Sequence, residues 1–238
     1  MRILALETSA KSASCAVVAD GAVLAHSFQA SGLTHSRTLL PMLDAMLKNA
    51  ELPLSSVDAF AVSSGPGSFT GLRIGVSTLK GLAWAEDKPC LGISTLLAMA
   101  WNLSHADALL VCAMDARRAQ VYNALFEAKG GVLTRLTEDR AIGLDELCAG
   151  LSGDARRKLV LGDGAALAHG YLMEHGVACT LAPAALRYQN AAGVAFAAED
   201  ALTRGEGVSA QELAISYLRV SQAERERNAR LRDQAKQV

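Results

Sequence analysis

Ser63-Ser64-Gly65-Pro66-Gly67-Ser68-Phe69-Thr70-Gly71-Leu72-Arg73-Ile74-Gly75 links a short apolar strand, Ala59 to Val62, to an apolar helix over about Thr70 to Glu86. Strand, glycine-rich turn and helix together form the layout that aims backbone N–H groups at an anion. Gly65 and Gly67 allow backbone angles closed to other residues, and Ser68 or Thr70 can cap the helix. The run is not a P-loop, since no Lys-Ser/Thr pair follows the glycines, nor is it G-x-G-x-x-G. Read by its chemistry alone, it is either a tight turn or a phosphate site.

Working outward, Arg2 to Glu7 reads as a first strand ending in an acid, with strands at 14–18 and 22–28 joined by the hairpin signal Asp20-Gly21. A helix follows over about 36–49, its start displaced or kinked by Pro41. Beyond the helix at 70–86 come a strand at 91–93 and a helix at 95–103. The pattern then restarts: a strand at 108–115 ending in Asp115, strands at 119–127 and 132–137 around the turn Gly130-Gly131, a strand at 158–161, and helices at 165–175 and 191–203. The repeated plan suggests an internal duplication with a boundary near Asp107. Three domains are expected: 1–106 as an N-terminal lobe, 107–220 as a C-terminal lobe, and 221–238 as a charged tail. The tail reads as a solvated end or as a basic arm toward nucleic-acid phosphates or a partner, its interspersed acids weakening the second reading.

The bulk composition excludes several classes. With 238 residues, 51% hydrophobic and 20% charged, the chain can build one or two real cores. A net charge of −1 gives no global pull toward nucleic acid. The five cysteines are scattered, odd in number and without C-x-x-C, which suits a reduced, cytoplasmic protein lacking disulfides or structural zinc. No signal peptide is read at the N-terminus, and the apolar runs are too short or interrupted to span a bilayer.

The string SGPGSFTGLRIG resembles the signature of the TsaB (YeaZ) family. Further matches are ILALETSAKSASCAVVADG at 3–21, HSRTLLPML at 35–43, AMDARRAQVYNALF at 113–126 and SYLR at 216–219. The resemblance implies an α/β, actin-like ATPase (ASKHA) fold of two related lobes, each a mixed β-sheet flanked by helices. It implies a non-catalytic subunit that binds a TsaD-like catalytic subunit, with a TsaE-like ATPase docking on the pair. The complex would transfer threonylcarbamoyl to the adenosine beside the tRNA anticodon, and this chain would meet tRNA only through the complex. Alone, it could form a homodimer.

Catalytic groups are hard to find. Glu7 stands where a nucleotide-hydrolysing relative of this fold needs a strand-end acid, with Thr8, Ser9, Ser12 and Ser14 in the next turn and Asp115 as the second-lobe counterpart. Glu7, Thr8, Ser9, Gly65, Gly67, Ser68 and Asp115 are therefore the candidates for a residual nucleotide or anion site, set against the simpler reading of acids capping turns. A TsaD-like metal centre needs two histidines four apart on a helix after Ile93, and Ser94 to Ala100 has none. Neither a catalytic residue, a metal nor a cofactor is assigned. The alternatives are an autonomous ATPase or kinase, or a peptidase acting on the partner; no G-x-S-x-G elbow occurs, although a Cys15–His35 pair stays open.

The helices point to a partner. The first carries Leu39, Leu40, Leu43, Met46 and Leu47, and the second Leu72, Gly75, Val76, Leu79 and Leu82. That is more apolar surface than one narrow stripe needs, and the excess suggests a docking face. In the TsaB family these two helices meet the equivalent pair of TsaD, which makes these ten residues the candidate interface.

Overall fold

A computed structural model of the chain describes residues 1–219; the expected tail at 221–238 lies outside them. The first sheet has the order β3-β2-β1-β4-β5, built from β1 (Arg2–Glu7), β2 (Ala13–Ala19), β3 (Ala22–Gln29), β4 (Ala59–Gly65) and β5 (Cys90–Ser94). The second has the order β11-β10-β6-β7-β8, with β9 also on β7. Its strands are β6 (Ala108–Asp115), β7 (Gln120–Lys129), β8 (Val132–Arg135), β9 (Arg140–Gly143), β10 (Lys158–Leu161) and β11 (Thr180–Leu181). Each sheet starts with an antiparallel meander and adds two parallel strands beside its first strand. The two lobes are therefore duplicates in topology, on the mixed α/β plan read from the sequence.

Both hairpins use left-handed backbone, at Asp20-Gly21 (φ 49° and 76°) and Gly130-Gly131 (φ 57° and 81°). Such turns match the right-handed twist of the flanking strands. Alternation along β1 sorts the first core: Leu4 and Leu6 face α1 (His35–Asn49) and α2 (Phe69–Glu86), while Ile3 and Ala5 face α6 (Ala191–Thr203). With helices on both faces, β1 and β4 are apolar nearly throughout, as in any doubly covered sheet. Helix α1 runs through Pro41 and begins at His35, so the proline does not displace its start.

α3 (Thr95–Trp101) packs between the sheets, with Leu96 and Met99 against Leu110, Cys112 and Phe126 of the second. α4 (Leu144–Leu151) and α5 (Ala165–Glu174) cover the far face of the second sheet. The alanine-rich α6, expected in the second lobe, lies instead on the first sheet, with Val194, Ala195 and Ala198 against Ala16 and Ala61. Its small side chains permit close approach: a Cβ on Gly193 would come within 2.1 Å of the Ala98 carbonyl oxygen of α3. The chain then continues along the first lobe, where Val208 bridges Cys90. Residues 191–219 thus complete the lobe that the first 106 residues begin.

The sequence reading missed β9, α4 and β11. β9 and β11 have four and two residues, too few to show a period of their own.

Candidate functional site

The expected strand-end acid is sealed. Glu7 has no exposed surface. One carboxylate oxygen accepts the Ser9 backbone N–H at 2.5 Å, and the other accepts the Ser63 hydroxyl. Burial pushes this carboxyl above its ordinary range, against the opposing pull of the two serine hydrogen bonds. Thr8 is equally buried and donates its hydroxyl to the Gly71 carbonyl at 2.8 Å. Of the candidates for a nucleotide or anion site, Ser9, Gly67, Ser68 and Asp115 line the cleft between the lobes. Glu7, Thr8 and Gly65 do not; all three are buried.

The glycine-rich run is the other half of this knot. Ser68 N–H donates to the Ser9 carbonyl at 2.6 Å, and the Ser68 hydroxyl caps α2 by accepting from Gly71 N–H at 3.3 Å. A Cβ on Gly71 would lie 2.1 Å from the Thr8 carbonyl oxygen, and one on Gly67 would lie 2.5 Å from that of Ser9. These glycines let α2 and its leading turn press against the β1–β2 turn. Gly65 needs its own freedom, with φ at 140° and the Ser216 carbonyl oxygen 2.1 Å from where a Cβ would stand.

The cleft beside the knot has a volume of about 470 Å³. On its second-lobe side Asp115 is exposed and accepts the Arg117 N–H at 2.7 Å. Asp163 accepts from Gln189 Nε2 at 2.9 Å; burial pushes its carboxyl upward, and the charge of Asp115 adds to the effect. The sequence reading took Gly162-Asp163-Gly164 only as a turn and did not single out Asp163.

A C-terminal segment straps the cleft. Ser216 N–H donates to the Ser64 carbonyl at 2.8 Å. The Tyr217 ring stacks on Phe69 at 4.8 Å, and Arg73 lies 3.9 Å from the Phe69 centroid while its Nε–H reaches the Tyr217 hydroxyl at 3.1 Å. Arg219 crosses to the second lobe and donates to the Ala116 carbonyl at 3.0 Å. The four strings 3–21, 63–75, 113–126 and 216–219, far apart in the chain, therefore meet at one place.

The paired helices divide differently from expectation. Leu39, Leu43, Met46, Leu72, Val76 and Leu79 are buried in the protein's own core, and Gly75 is buried against the Thr8 and Val62 side chains. Their side chains pack within the protein itself, although Leu43, 3% exposed, also lines the groove described next. Leu40 is 52% exposed, and Leu47 and Leu82 are half-buried. These three, with Leu52, Pro53 and Leu54, line an apolar groove of about 530 Å³ rimmed by Asp44, Lys48 and Glu51. Trp84 on α2 is 71% exposed and was not among the expected contacts.

The remaining chemistry is sparse. The Cys15 thiol is buried beside the Met46 sulfur at 3.5 Å, and burial pushes it up to about 12, against a thiolate nucleophile. His35 hydrogen-bonds the Ala10 carbonyl at 2.8 Å. Among the described residues no three His, Cys, Asp or Glu side chains converge as a metal-binding group, and no helix is long and apolar enough to cross a membrane.

A family model described as TsaD: tRNA N6-adenosine threonylcarbamoyltransferase matches residues 29–225. The tRNA threonylcarbamoyladenosine biosynthesis protein TsaB of Bacillus subtilis is 31% identical over 94% of this chain and 96% of its own length. The protein of the same name from Escherichia coli is 40% identical over 53% of this chain and 55% of its own. The solved structure of YeaZ from Pseudomonas aeruginosa superposes with a TM-score of 0.77 at 29% identity, covering 91% of this chain and 99% of that one. A second, described as an uncharacterized protein with similarity to peptidase YeaZ from the same organism, gives 0.79 at 29% identity over 92% and 99%. Component A of the Acidaminococcus fermentans (R)-2-hydroxyglutaryl-CoA dehydratase, at 14% identity and a TM-score of 0.51, shares the fold alone. Two relatives named as the transferase itself align over 40% and 26% of this chain, whereas the TsaB relative aligns over 94% of it, and the chain belongs to the TsaB family of tRNA threonylcarbamoyladenosine biosynthesis proteins.

Proposed function

We propose that this chain is a non-catalytic docking subunit, which binds a TsaD-like catalytic subunit and supports its transfer of threonylcarbamoyl to the adenosine beside the tRNA anticodon. The observation that carries this reading is the apolar groove along α1 and α2, set beside a strand-end acid with no access to the cleft. A groove of this composition gains by burial against another protein. Its rim of Asp44, Lys48 and Glu51 can set the register of the contact. A TsaE-like ATPase would dock on the pair, tRNA would be met through the complex, and the same face would support a homodimer when the chain is alone. The setting is cytoplasmic.

The test is co-purification with the TsaD-like subunit, followed by tRNA modification assays. Leu40→Glu and Trp84→Glu are the variants of choice, since both side chains are exposed. A charge at Leu43 or Val76 would disrupt the core instead. The expected result is loss of the complex and of modification, with the thermal midpoint of the isolated chain unchanged. Complex formation and modification retained in both variants would refute the proposal. Cleavage of the partner by the purified chain, lost on Ser68→Ala, would favour the peptidase alternative. Tight ATP–Mg binding abolished by Asp115→Asn would favour the ATPase or kinase.

A further inference from the structure

We propose that the β6–β7 hairpin carrying Arg117 and Arg118, with Lys11 and Arg73 beside it, is a contact surface for the phosphate backbone of RNA. The choice of RNA as the polyanion rests on the function proposed above. The surface itself rests on four observations.

The first is the backbone. Arg117, Arg118 and Ala119 follow one another at φ 63°, 56° and 55°. Three successive non-glycine residues in the left-handed region are sterically costly, and strain of this kind persists where surrounding structure enforces it, commonly at functional positions. The second is pairing. Arg135 binds Asp139, Arg156 binds Asp154 and Glu127, and Arg204 binds Asp200 and Glu206. Arg117 and Arg118 are exposed, and among the described residues neither guanidinium has a hydrogen-bond or ion-pair partner. They are thus presented to solvent rather than used to hold the fold.

The third is the company they keep. Lys11 and Arg219 line the same cleft as Arg117, and Arg219 is anchored on the Ala116 carbonyl, one residue before the arginine pair. Arg73 reaches the edge of that cleft through Tyr217. The acids present, Asp115 and Asp163, accept from the Arg117 backbone N–H and from Gln189. The cations come from four separate elements around the cleft mouth, the β1–β2 turn, α2, the β6–β7 turn and the C-terminal segment, an arrangement that suits a run of phosphates better than a single small anion. The fourth is the Phe69–Tyr217 stack, with Tyr217 42% exposed, which offers a π-face beside the cations for a base or ribose. On a chain of net charge −1, so local a basic cluster is a specific patch rather than a general attraction to nucleic acid.

The probe is a dye-labelled, unmodified tRNA transcript, titrated by fluorescence anisotropy between 50 and 200 mM KCl. The full-length chain is tested alone and mixed with its TsaD-like subunit, size-exclusion chromatography reporting whether the two associate. In whichever preparation binds tRNA, R117E/R118E is expected to weaken binding at least tenfold, and R117Q/R118Q is expected to flatten the log K against log[salt] slope by about one to two. Lys129→Glu, at the other end of β7, should change neither. Circular dichroism checks that each variant is folded; should the charge reversal not fold, the neutral pair decides. Wild-type affinity and salt slope in the arginine variants would overturn the proposal, as would absence of tRNA binding in both preparations, or an equal loss in Lys129→Glu. Failure of the two proteins to associate would refute the docking function alone, because the isolated chain still tests this surface.

Discussion

The β1–β2 turn and the β6–β7 turn occupy equivalent places in the two duplicated lobes, yet they are built in opposite ways. In the first, Glu7 is buried, its oxygens are taken by Ser9 and Ser63, and Gly67 and Gly71 let α2 close over it. In the second, Asp115 is exposed and the following residues stand in left-handed backbone with two arginines in solvent. The approach behind each turn is nevertheless shared. Gly164, the counterpart of Gly67, would place a Cβ 2.7 Å from Asp115 N. Duplication therefore preserved the way each parallel strand passes behind the meander turn, while the polar groups diverged. One turn became a fastening and the other a presented surface.

The largest effect that would test this contrast is on the fastening. Gly71→Ala should cost about 3 kcal/mol in urea unfolding despite the better helix propensity of alanine, because α2 cannot retreat from the Thr8 carbonyl without losing its core contacts. A midpoint equal to wild type would show that the knot is loose and the contrast overdrawn.

Glu7→Gln should cost about 2 kcal/mol, since an amide nitrogen cannot accept from Ser9 or Ser63, whereas both oxygens of the carboxyl can, protonated or not. Its pH dependence sharpens the point. The Glu7 carboxyl is raised in the folded state, so the native protein binds the proton more tightly than the unfolded chain. The group's contribution is fully present below the unfolded value and is lost as pH rises through the folded one. The gap between wild type and Glu7→Gln should therefore narrow as pH rises from about 4 toward neutrality. Thermal midpoints across that window read it; a gap that widens with pH would mean that the carboxylate is net stabilised in its turn.

The smallest effect is on the presented turn. Arg118→Gly relieves one left-handed residue, worth about 1–2 kcal/mol, and returns part of that to the entropy of the unfolded chain. The net expectation is a stabilisation of about 0.5 kcal/mol, read as a small rise in thermal midpoint. A clear destabilisation would mean that the arginine side chain holds the fold.

How much was legible differs by element. The hairpins at Asp20-Gly21 and Gly130-Gly131 were readable because their turn chemistry is local. The strand-end positions of Glu7 and Asp115 were readable for the same reason, but their opposite exposures were not. Whether an acid is sealed depends on Ser63, 56 residues away, and on the helix that follows it. On α1 and α2 the apolar surplus was visible, but its division between core and groove was not. Leu39 and Leu40 are neighbours in the chain, one 1% and the other 52% exposed, and only the position of the sheet separates them. Tyr217 and Arg219 lay in a noticed string, whereas their contacts with Phe69 and Ala116 span more than a hundred residues.

By itself the sequence determined the repeated order of strands and helices, the turn positions and the family, because periodicity, glycine placement and motif strings are properties of neighbouring residues. The tertiary structure alone decided that α6 returns to the first sheet, that one turn is sealed while its twin is open, and that the C-terminal segment bridges the lobes. These depend on which surfaces meet in space, and burial and desolvation act only once they do.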